Sequence, residues 1–139
     1  MSKNIGIRFA EPADLEFLKD NLYIREKMIC RKIESKEIII ADKETVPVGF
    51  LQLEYLWSLV PYIALIGVLP EHRQEGIGTG MLRFAGSFLR DEGHQMIYSS
   101  SQADEPEPQA WHRHAGFEEC GVIAGINDGI GEIFFRRRI

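Results

Sequence analysis

The sequence has few cysteines and no excess of basic residues. Cys30 and Cys120 stand far apart without a CxxC spacing, so neither a disulfide framework of the secreted kind nor a catalytic cysteine motif is expected. No group of His, Cys and acidic residues has the spacing of metal ligands, so we expect no metal site. The formal net charge is -5, whereas nucleic-acid binders carry basic patches, so we expect no nucleic-acid partner.

Long apolar runs are also missing. The most apolar window, residues 56–69, is interrupted by Ser58 and Pro61 and is too short to span a bilayer. The first residues lack the apolar core of a signal peptide. A hydrophobic content of 45% and a charged content of 27% are typical of a folded globular chain. We therefore expect one domain, residues 1–139, in a soluble cytoplasmic protein without membrane contact.

The apolar pattern predicts a mixed α/β domain. Short apolar or β-branched segments indicate strands near residues 5–9, 37–41, 48–57, 62–68, 96–100, 118–124 and 132–136. Helical spacing of apolar residues indicates helices near residues 12–22, 24–33, 77–89 and 109–115. The short connection between the second and third strands favours antiparallel pairing, and a helix between the fourth and fifth strands favours a parallel pair.

A glycine-rich turn joins the fourth strand to the third helix. Gly76, Gly78 and Gly80 remove the side chains that would hold a ligand away from the backbone. The first amides of a helix lack an intrahelical partner, and the helix dipole adds partial positive charge there. Residues 68–80 are therefore predicted to bind an anion such as phosphate.

Two common phosphate loops do not fit this turn. The dinucleotide fingerprint Gly-x-Gly-x-x-Gly requires glycine at Met81 rather than at Gly80, and no acidic residue follows at the distance of the ribose contact. A Walker loop requires Gly-Lys-Ser/Thr, which the sequence lacks. The remaining alternative is that the glycines serve only the close packing of helix on sheet.

Two motifs resemble those of the GNAT N-acetyltransferase superfamily. Residues 73–78, Arg-Gln-Glu-Gly-Ile-Gly, fit its Arg/Gln-x-x-Gly-x-Gly/Ala motif, and the lead-in Val68-x-Pro70 is similar as well. Residues 109–117, which end in Gly-Phe, resemble its second motif. The resemblance implies a GNAT-like fold. Its central, mostly antiparallel sheet has about six or seven strands, with one parallel β-α-β unit at the splayed fourth and fifth strands and about four flanking helices.

The resemblance also implies acetyl-CoA as the co-substrate and an amine as the acceptor. Backbone amides of the turn would hold the pyrophosphate, and the fourth strand would pair with the pantetheine arm as with an added strand. The cofactor-binding residues so implied are Ile66, Gly67, Val68, Arg73, Gln74, Glu75, Gly76, Ile77, Gly78, Thr79 and Gly80. Among the residues of the turn, Glu71 and Glu75 are unfavourable neighbours for a dianionic ligand.

The catalytic residues are less well marked. Many family members carry a tyrosine five residues before the phenylalanine of Gly-Phe, where it can protonate the departing thiolate. Here that position is His112, which can exchange a proton near neutral pH; the alternative is a partly buried histidine tied to the backbone. Glu54, late in the third strand, is either a general base that acts directly or through water, or a solvated surface carboxylate.

The predicted function is therefore acetyl transfer from acetyl-CoA to a primary amine of a small molecule or peptide, by direct attack in a ternary complex. The alternative is a non-catalytic acyl-CoA-binding sensor or regulatory module on the same fold. Tyr55, Trp57 and Tyr62 are candidate walls of the acceptor pocket or, alternatively, core residues. A homodimer is compatible with the family. No motif in residues 21–35, the segment expected to shape the acceptor pocket, indicates which amine is used.

Overall fold

The computed structural model describes residues 4–139, which contain seven strands and four helices. The strands are β1 (Ile5–Phe9), β2 (Ile38–Lys43), β3 (Val46–Leu56), β4 (Val60–Val68), β5 (Met96–Gln102), β6 (Glu118–Asn127) and β7 (Ile130–Arg138). The helices are α1 (Leu15–Asn21), α2 (Glu26–Glu34), α3 (Ile77–Asp91) and α4 (Pro106–His114). Short 3-10 turns at Pro12–Asp14 and Pro70–His72 lie before α1 and α3.

The strands form one sheet in the order β1-β2-β3-β4-β5-β7-β6. β2 pairs antiparallel with β3, and β4 pairs parallel with β5, in register at Tyr62 and Tyr98. β5 pairs antiparallel with β7, which pairs antiparallel with β6. The predicted mixed α/β class, with its mostly antiparallel sheet and one parallel pair, is confirmed.

Several element boundaries differ from the sequence-based expectation, most clearly those of α4 and β6. α4 begins at Pro106 rather than near residue 109, because proline in the first helical turn needs no amide partner. β6 continues through the predicted turn at residues 125–129 as far as Asn127, with a register shift between Ile123 and Asn127. Gly125, at φ 68°, lies within this irregular stretch, where glycine adopts the left-handed region without a steric cost.

The chain groups into two compact units. Unit 1 comprises the chain up to Leu53 together with Leu65–Phe88. In this unit β2 is buried on both faces: Ile38 and Ile40 belong to a core cluster with apolar residues of α1 and α2. On the other face, Gly49 of β3 lets Ile77 and Met81 of α3 approach closely. Two-sided burial explains why β2 is a continuous apolar run rather than an alternating one.

A buried charge pair ties the first strand of unit 1 to the turn that follows it. The guanidinium of Arg8 donates to both carboxylate oxygens of Asp14, at 2.7 and 2.9 Å, and to Asp42 at 2.7 and 3.1 Å. Asp14 is only 4% exposed. Burial by itself raises the pKa of Asp14, but the bonds from Arg8 and from the Glu11 amide outweigh it and hold this pKa below its usual value.

Unit 2 comprises Glu54–Ala64 and Leu89–Ile139. In β5 the side chains of Ile97, Ser99 and Ser101 are buried and their neighbours are half-buried, because successive side chains of a strand point to opposite faces. The buried face is covered by α4, whose His112 ring stacks on Phe135 of β7. The polar side chain of Ser100 therefore lies on the opposite face from α4.

No helix among residues 4–139 combines the length and the apolar character needed to cross a bilayer. Over the same residues, no three His, Cys, Asp or Glu side chains are grouped so that they could hold a metal ion.

Candidate functional site

The predicted anion-binding turn lies in unit 1, between β4 and α3. Gln74 and Gly76 have positive φ values of 64° and 80°, so the backbone turns sharply just before the helix. The first backbone bond of α3 runs from the Gly80 amide to the Gly76 carbonyl at 2.9 Å. The amides of residues 77–79 come before this bond and point out of the helix end, where they are available to an anion.

Arg73 holds the start of the turn against the end of β4. Its Nε donates to the Val68 carbonyl at 3.0 Å, which closes the loop between the strand end and the 3-10 turn at Pro70–His72. The cofactor contact implied for Arg73 stays a prediction; with Nε bonded to Val68, its Nη groups are left for such a contact. The structure adds a second role for this side chain, which is to position the turn.

The acidic residue inside the turn is neutralised by a lysine from a neighbouring hairpin. The Nζ of Lys43 donates to the carboxylate of Glu75 at 2.8 Å. This hydrogen bond is the main reason why the pKa of Glu75 lies below its usual value, and the charges of Lys43 and His72 act in the same direction. The unfavourable charge that the sequence places beside a phosphate is therefore balanced within unit 1.

Gly67 in β4 has a packing reason to be glycine. A Cβ at this position would overlap the ring of Phe50, with Cζ as the closest atom. The edge of Phe50 thus occupies the space that any other side chain at this position would fill. A backbone role for Gly67 toward a cofactor is compatible with this packing, and it stays a prediction together with those of Ile66 and Val68.

His112 in α4 is buried, and both of its ring nitrogens have hydrogen-bond partners. Nδ1 lies 2.7 Å from the Pro108 carbonyl, and Nε2 lies 2.7 Å from Ser99 Oγ. Because a carbonyl only accepts, Nδ1 carries the proton and the neutral ring accepts from Ser99 at Nε2. Burial lowers the pKa of His112, and the Pro108 carbonyl and the Glu132 charge oppose this only in part.

This geometry is that of a histidine tied to the backbone, the alternative given for His112 in the sequence analysis. A neutral imidazole whose only N–H is committed to a backbone carbonyl is a poor proton donor. The catalytic role of His112 stays a prediction, and it requires the ring to exchange one of these two partners.

A second polar network in unit 2 lies on the other face of β5. The Tyr62 hydroxyl and Ser100 Oγ are 2.7 Å apart, and Ser100 donates to Glu132 Oε2 at 2.6 Å. Asn127 Nδ2 donates to the other oxygen, Oε1, at 2.9 Å. Burial raises the pKa of the Tyr62 phenol; the bond to Ser100 lowers it, and the negative charges of Glu132 and Glu54 raise it further.

The other candidate residues of unit 2 are exposed or half-buried. Glu54 is exposed on β3, and its charge acts on the Tyr62 phenol. Trp57 is 83% exposed at the tip of the β3–β4 hairpin. The Tyr55 ring lies 6.1 Å from that of His94. Among the aromatic residues suggested as pocket walls, Tyr62 joins the network of Ser100 and Glu132 through its hydroxyl.

Comparison with known proteins identifies the family. The model of the acetyltransferase (GNAT) family matches residues 8–117, which include both motifs. The chain belongs to this family. It is 32% identical, over 76 residues, to an aminoglycoside N(6')-acetyltransferase type 1 of Stenotrophomonas maltophilia; the match covers 55% of this chain but only 42% of that enzyme.

Solved structures show the same fold over nearly the whole chain. Ard1 from Thermoplasma volcanium has a TM-score of 0.83 at 16% identity and covers 98% of both chains. The yncA protein of Salmonella typhimurium, solved with its cofactor acetyl-CoA, has a TM-score of 0.79 at 13% identity and covers 98% of this chain and 94% of its own. The predicted GNAT fold and the predicted enzyme class, an acyltransferase, are confirmed.

The turn of this GNAT chain fits the diphosphate of a coenzyme A derivative. Free amides at the start of α3 and the left-handed glycine at Gly76 provide donors, and the charge of Glu75, though not that of the exposed Glu71, is balanced by Lys43. The eleven residues implied as cofactor-binding all lie in β4, in this turn or in the first turn of α3. Their individual contacts with the cofactor stay predictions.

The sequence did not indicate Glu132 or the role of Ser100. Glu132 lies in β7, beyond the segment that the family model matches, so no family motif points to it. In the sequence it is the single acidic residue of a strand that ends in three arginines. The proximity of Glu132 to Ser100 can be found only after the strand pairing is known. In that register Glu132 lies opposite Gln102 and Phe134 opposite Ser100, so Glu132 is on the same face as Ser100.

Proposed function

We propose that this GNAT chain transfers an acetyl group from acetyl-CoA to a primary amine of a small molecule or peptide, by direct attack in a ternary complex. The observation that carries the proposal is the end of α3, where three free amides follow a left-handed glycine and a neutralised glutamate. The acetyl-CoA complex of the yncA protein and the acetyltransferase activity named for the Stenotrophomonas relative support it.

Each residue of the proposed site has a role that follows from its chemistry. Acetyl-CoA supplies an activated thioester. The amides of residues 77–79 bind and orient its diphosphate, and Arg73 keeps the turn in place through the Val68 carbonyl. Backbone groups of Ile66, Gly67 and Val68 pair with the pantetheine arm. Glu54 takes the proton of the amine directly or through water, and binding both reactants together supplies much of the rate.

The cofactor site is tested by the substitution Gly78→Glu. A glutamate in the first turn of a helix is favourable for folding, so the variant should fold while its carboxylate repels the diphosphate. We expect the affinity for acetyl-CoA, measured by calorimetry, to fall by about tenfold or more. Gly121→Glu is the matched control, because a Cβ at Gly121 meets no atom of the described chain within 4 Å. Equal affinities of the two variants would contradict the proposed site.

Transfer is tested by incubating the protein with acetyl-CoA and a panel of amines. The panel should include kanamycin, spermidine and short peptides with free N-termini. Free coenzyme A should be separated by chromatography, because Cys30 and Cys120 are both free and exposed and would react with a thiol reagent. Coenzyme A release that depends on an amine and is lost in Gly78→Glu is the expected result.

One observation favours the second candidate, a non-catalytic acyl-CoA sensor. The position where many relatives have a proton-donating tyrosine holds a buried histidine with both nitrogens occupied. Acetyl-CoA binding without coenzyme A release from any amine of the panel would support the sensor. Full turnover in His112→Phe with normal cofactor affinity would remove His112 from the mechanism without affecting the proposed transfer.

The acceptor, the cellular location and the oligomeric state belong to the same proposal. We infer a cytoplasmic protein that uses acetyl-CoA and an amine and does not bind nucleic acid. A homodimer is compatible with the family, and sedimentation with and without acetyl-CoA tests for it.

A further inference from the structure

The network of Tyr62, Ser100 and Glu132 joins three strands of unit 2 through hydrogen bonds. The 2.7 Å between Tyr62 and Ser100 is an ordinary distance for a hydroxyl donor, and the 2.6 Å between Ser100 and Glu132 is short, as expected when a carboxylate accepts. Tyr62 is held from one side by Phe134, whose ring lies 5.8 Å away and nearly parallel. The three polar groups are therefore linked in a hydrogen-bonded chain.

The direction of the hydrogen bonds follows from the number of protons. Ser100 has one hydroxyl proton and donates it to Glu132 Oε2. Its oxygen must then accept from Tyr62, so the phenol proton points toward Ser100. Asn127 donates to the remaining oxygen of Glu132, which favours the ionised carboxylate. The lone pairs of the Tyr62 oxygen are thereby left as the open, proton-accepting end of the hydrogen-bonded chain.

The open end of this hydrogen-bonded chain is suited to a cationic group. Tyr62 is half-buried rather than enclosed, and the charges of both Glu132 and Glu54 act on its phenol. Two negative charges around one neutral hydroxyl create a potential that attracts an ammonium ion. Burial keeps the pKa of the phenol above its usual value, so the hydroxyl retains its own proton at neutral pH and can pass one on.

We propose that Tyr62, Ser100 and Glu132 form a proton relay that deprotonates the ammonium group of the acceptor. The proposal rests on the acetyltransferase function above, and it assigns the amine proton to this relay in place of Glu54. Tyr62 is the catalytic residue, and Ser100 and Glu132 are positioning residues that act through it. The ammonium proton passes to the Tyr62 oxygen, the phenol proton to Ser100 Oγ, and the Ser100 proton to Glu132 Oε2. The products are a neutral amine and a neutral Glu132, which returns its proton to water after turnover.

The relay and His112 lie on opposite faces of the sheet, although the Glu132 charge also acts on the pKa of His112. Ser99, the partner of His112, and Ser100, the partner of Tyr62, are neighbours in β5 and so project to opposite faces of the sheet. A role for His112 and a role for the relay are therefore separate hypotheses that separate variants can address.

Three substitutions interrupt the relay with little change in shape. Tyr62→Phe keeps the ring on Phe134, Ser100→Ala removes one oxygen, and Glu132→Gln keeps an oxygen that accepts from Ser100. With an amine that turns over in the panel assay, each should lower kcat by about 10²-fold, the size of a general-base contribution. Because the loss of any one of the three groups stops proton transfer along the relay, the double variants should be no slower than the single ones.

Two neighbouring residues supply matched controls. Tyr98→Phe makes the same chemical change at the residue paired with Tyr62, and Ser101→Ala makes it at the residue after Ser100. Both should keep kcat within about twofold of the wild-type value. If the network is only structural, Glu132→Gln, which keeps the bond from Ser100 and loses the acceptor for Asn127, will turn over normally, and the losses of the other two variants will appear in thermal stability instead. That result would overturn the relay.

Two readouts do not depend on turnover. The affinity for acetyl-CoA should be unchanged in all three variants, which separates a failure of the relay from a failure of the cofactor site. The phenol of Tyr62, followed by its ultraviolet absorbance against Tyr62→Phe, should titrate at lower pH in Glu132→Gln, because the Glu132 charge raises its pKa. A wild-type protein inactive with every amine would overturn the proposed function and the relay together; an active wild type with active variants would overturn the relay alone.

Discussion

Gly67→Ala tests whether the close packing of β4 on Phe50 is required in unit 1. The added Cβ would meet Cε1 of Phe50 at 3.0 Å and Cε2 at 3.1 Å, and Cζ closer still. Favourable carbon–carbon contacts lie near about 3.5–4.0 Å, so the ring has to retreat into a core where Phe50 is only 7% exposed. The Phe17 ring, at 6.2 Å edge to face, stands among the groups that would have to move.

The magnitude follows from two opposing effects. Overpacking of this kind costs about 1–3 kcal/mol. Replacing glycine by alanine restricts the unfolded chain and returns about 0.4–1 kcal/mol. We expect a net loss of about 1–2 kcal/mol in the free energy of unfolding, measured from the midpoint and slope of urea denaturation. The melting temperature should fall by roughly 2–6 °C for a chain of this size.

Two other glycines and one rescue variant make the comparison sharp. Gly6→Ala should be close to neutral, because a Cβ there meets no atom of the described chain within 4 Å. Gly49→Ala should be intermediate, since its nearest contacts are Ile77 Cγ2 and Met81 Cε at 3.2 Å. The loss from Gly67→Ala should shrink by about 1 kcal/mol in a Phe50→Leu background. If Gly67→Ala is as stable as Gly6→Ala, the packing argument is wrong.

Three further predictions concern stability. The double substitution Trp57→Asn, Ser58→Gly should raise the free energy of unfolding by about 1 kcal/mol, because both residues have positive φ, 54° and 61°, in a tight hairpin turn. Thermal melting measures this change, and unchanged stability would mean that the turn is unstrained. Ser101→Ala should be stabilising by about 0.5–1 kcal/mol, because its buried oxygen has no partner among residues 4–139. Asp14→Asn should cost about 1–3 kcal/mol at neutral pH and flatten the loss of stability in acid.

The sign of the acid effect follows from the lowered pKa of Asp14. A carboxyl group whose pKa is lower in the folded chain binds fewer protons there than in the unfolded chain. Its contribution is complete above the unfolded value, about 3.9, and is lost as the pH falls through the folded value. Urea midpoints measured from pH 7 down to about pH 2 should converge for the wild type and Asp14→Asn once the pH falls below about 3.9; parallel curves over the whole range would refute the assignment.

Local signals in the sequence account for most of the fold. The stripe of α3 that includes Ile77, Met81 and Ala85 has a period of 3.6 residues and is buried as expected. β1 spans the expected residues, whereas β7 extends beyond its predicted segment at both ends, and β3 both begins and ends earlier than predicted, because side-chain period alone does not mark where pairing stops. The loop between β6 and β7 is shorter than predicted. It consists of Asp128 and Gly129, because β6 continues to Asn127 and β7 begins at Ile130.

The sequence by itself determined the strand–turn–helix of residues 68–80, the family and the expected cofactor, because glycines, a helix start and a preceding strand are contiguous features. Only the tertiary structure decided that Lys43 neutralises Glu75, that His112 is bonded at both nitrogens, and that Glu132 faces Ser100. Lys43 and Glu75, like Ser100 and Glu132, are 32 residues apart. Such contacts depend on which strands pair and in which register, and a shift of one residue would turn Glu132 to the other face of the sheet.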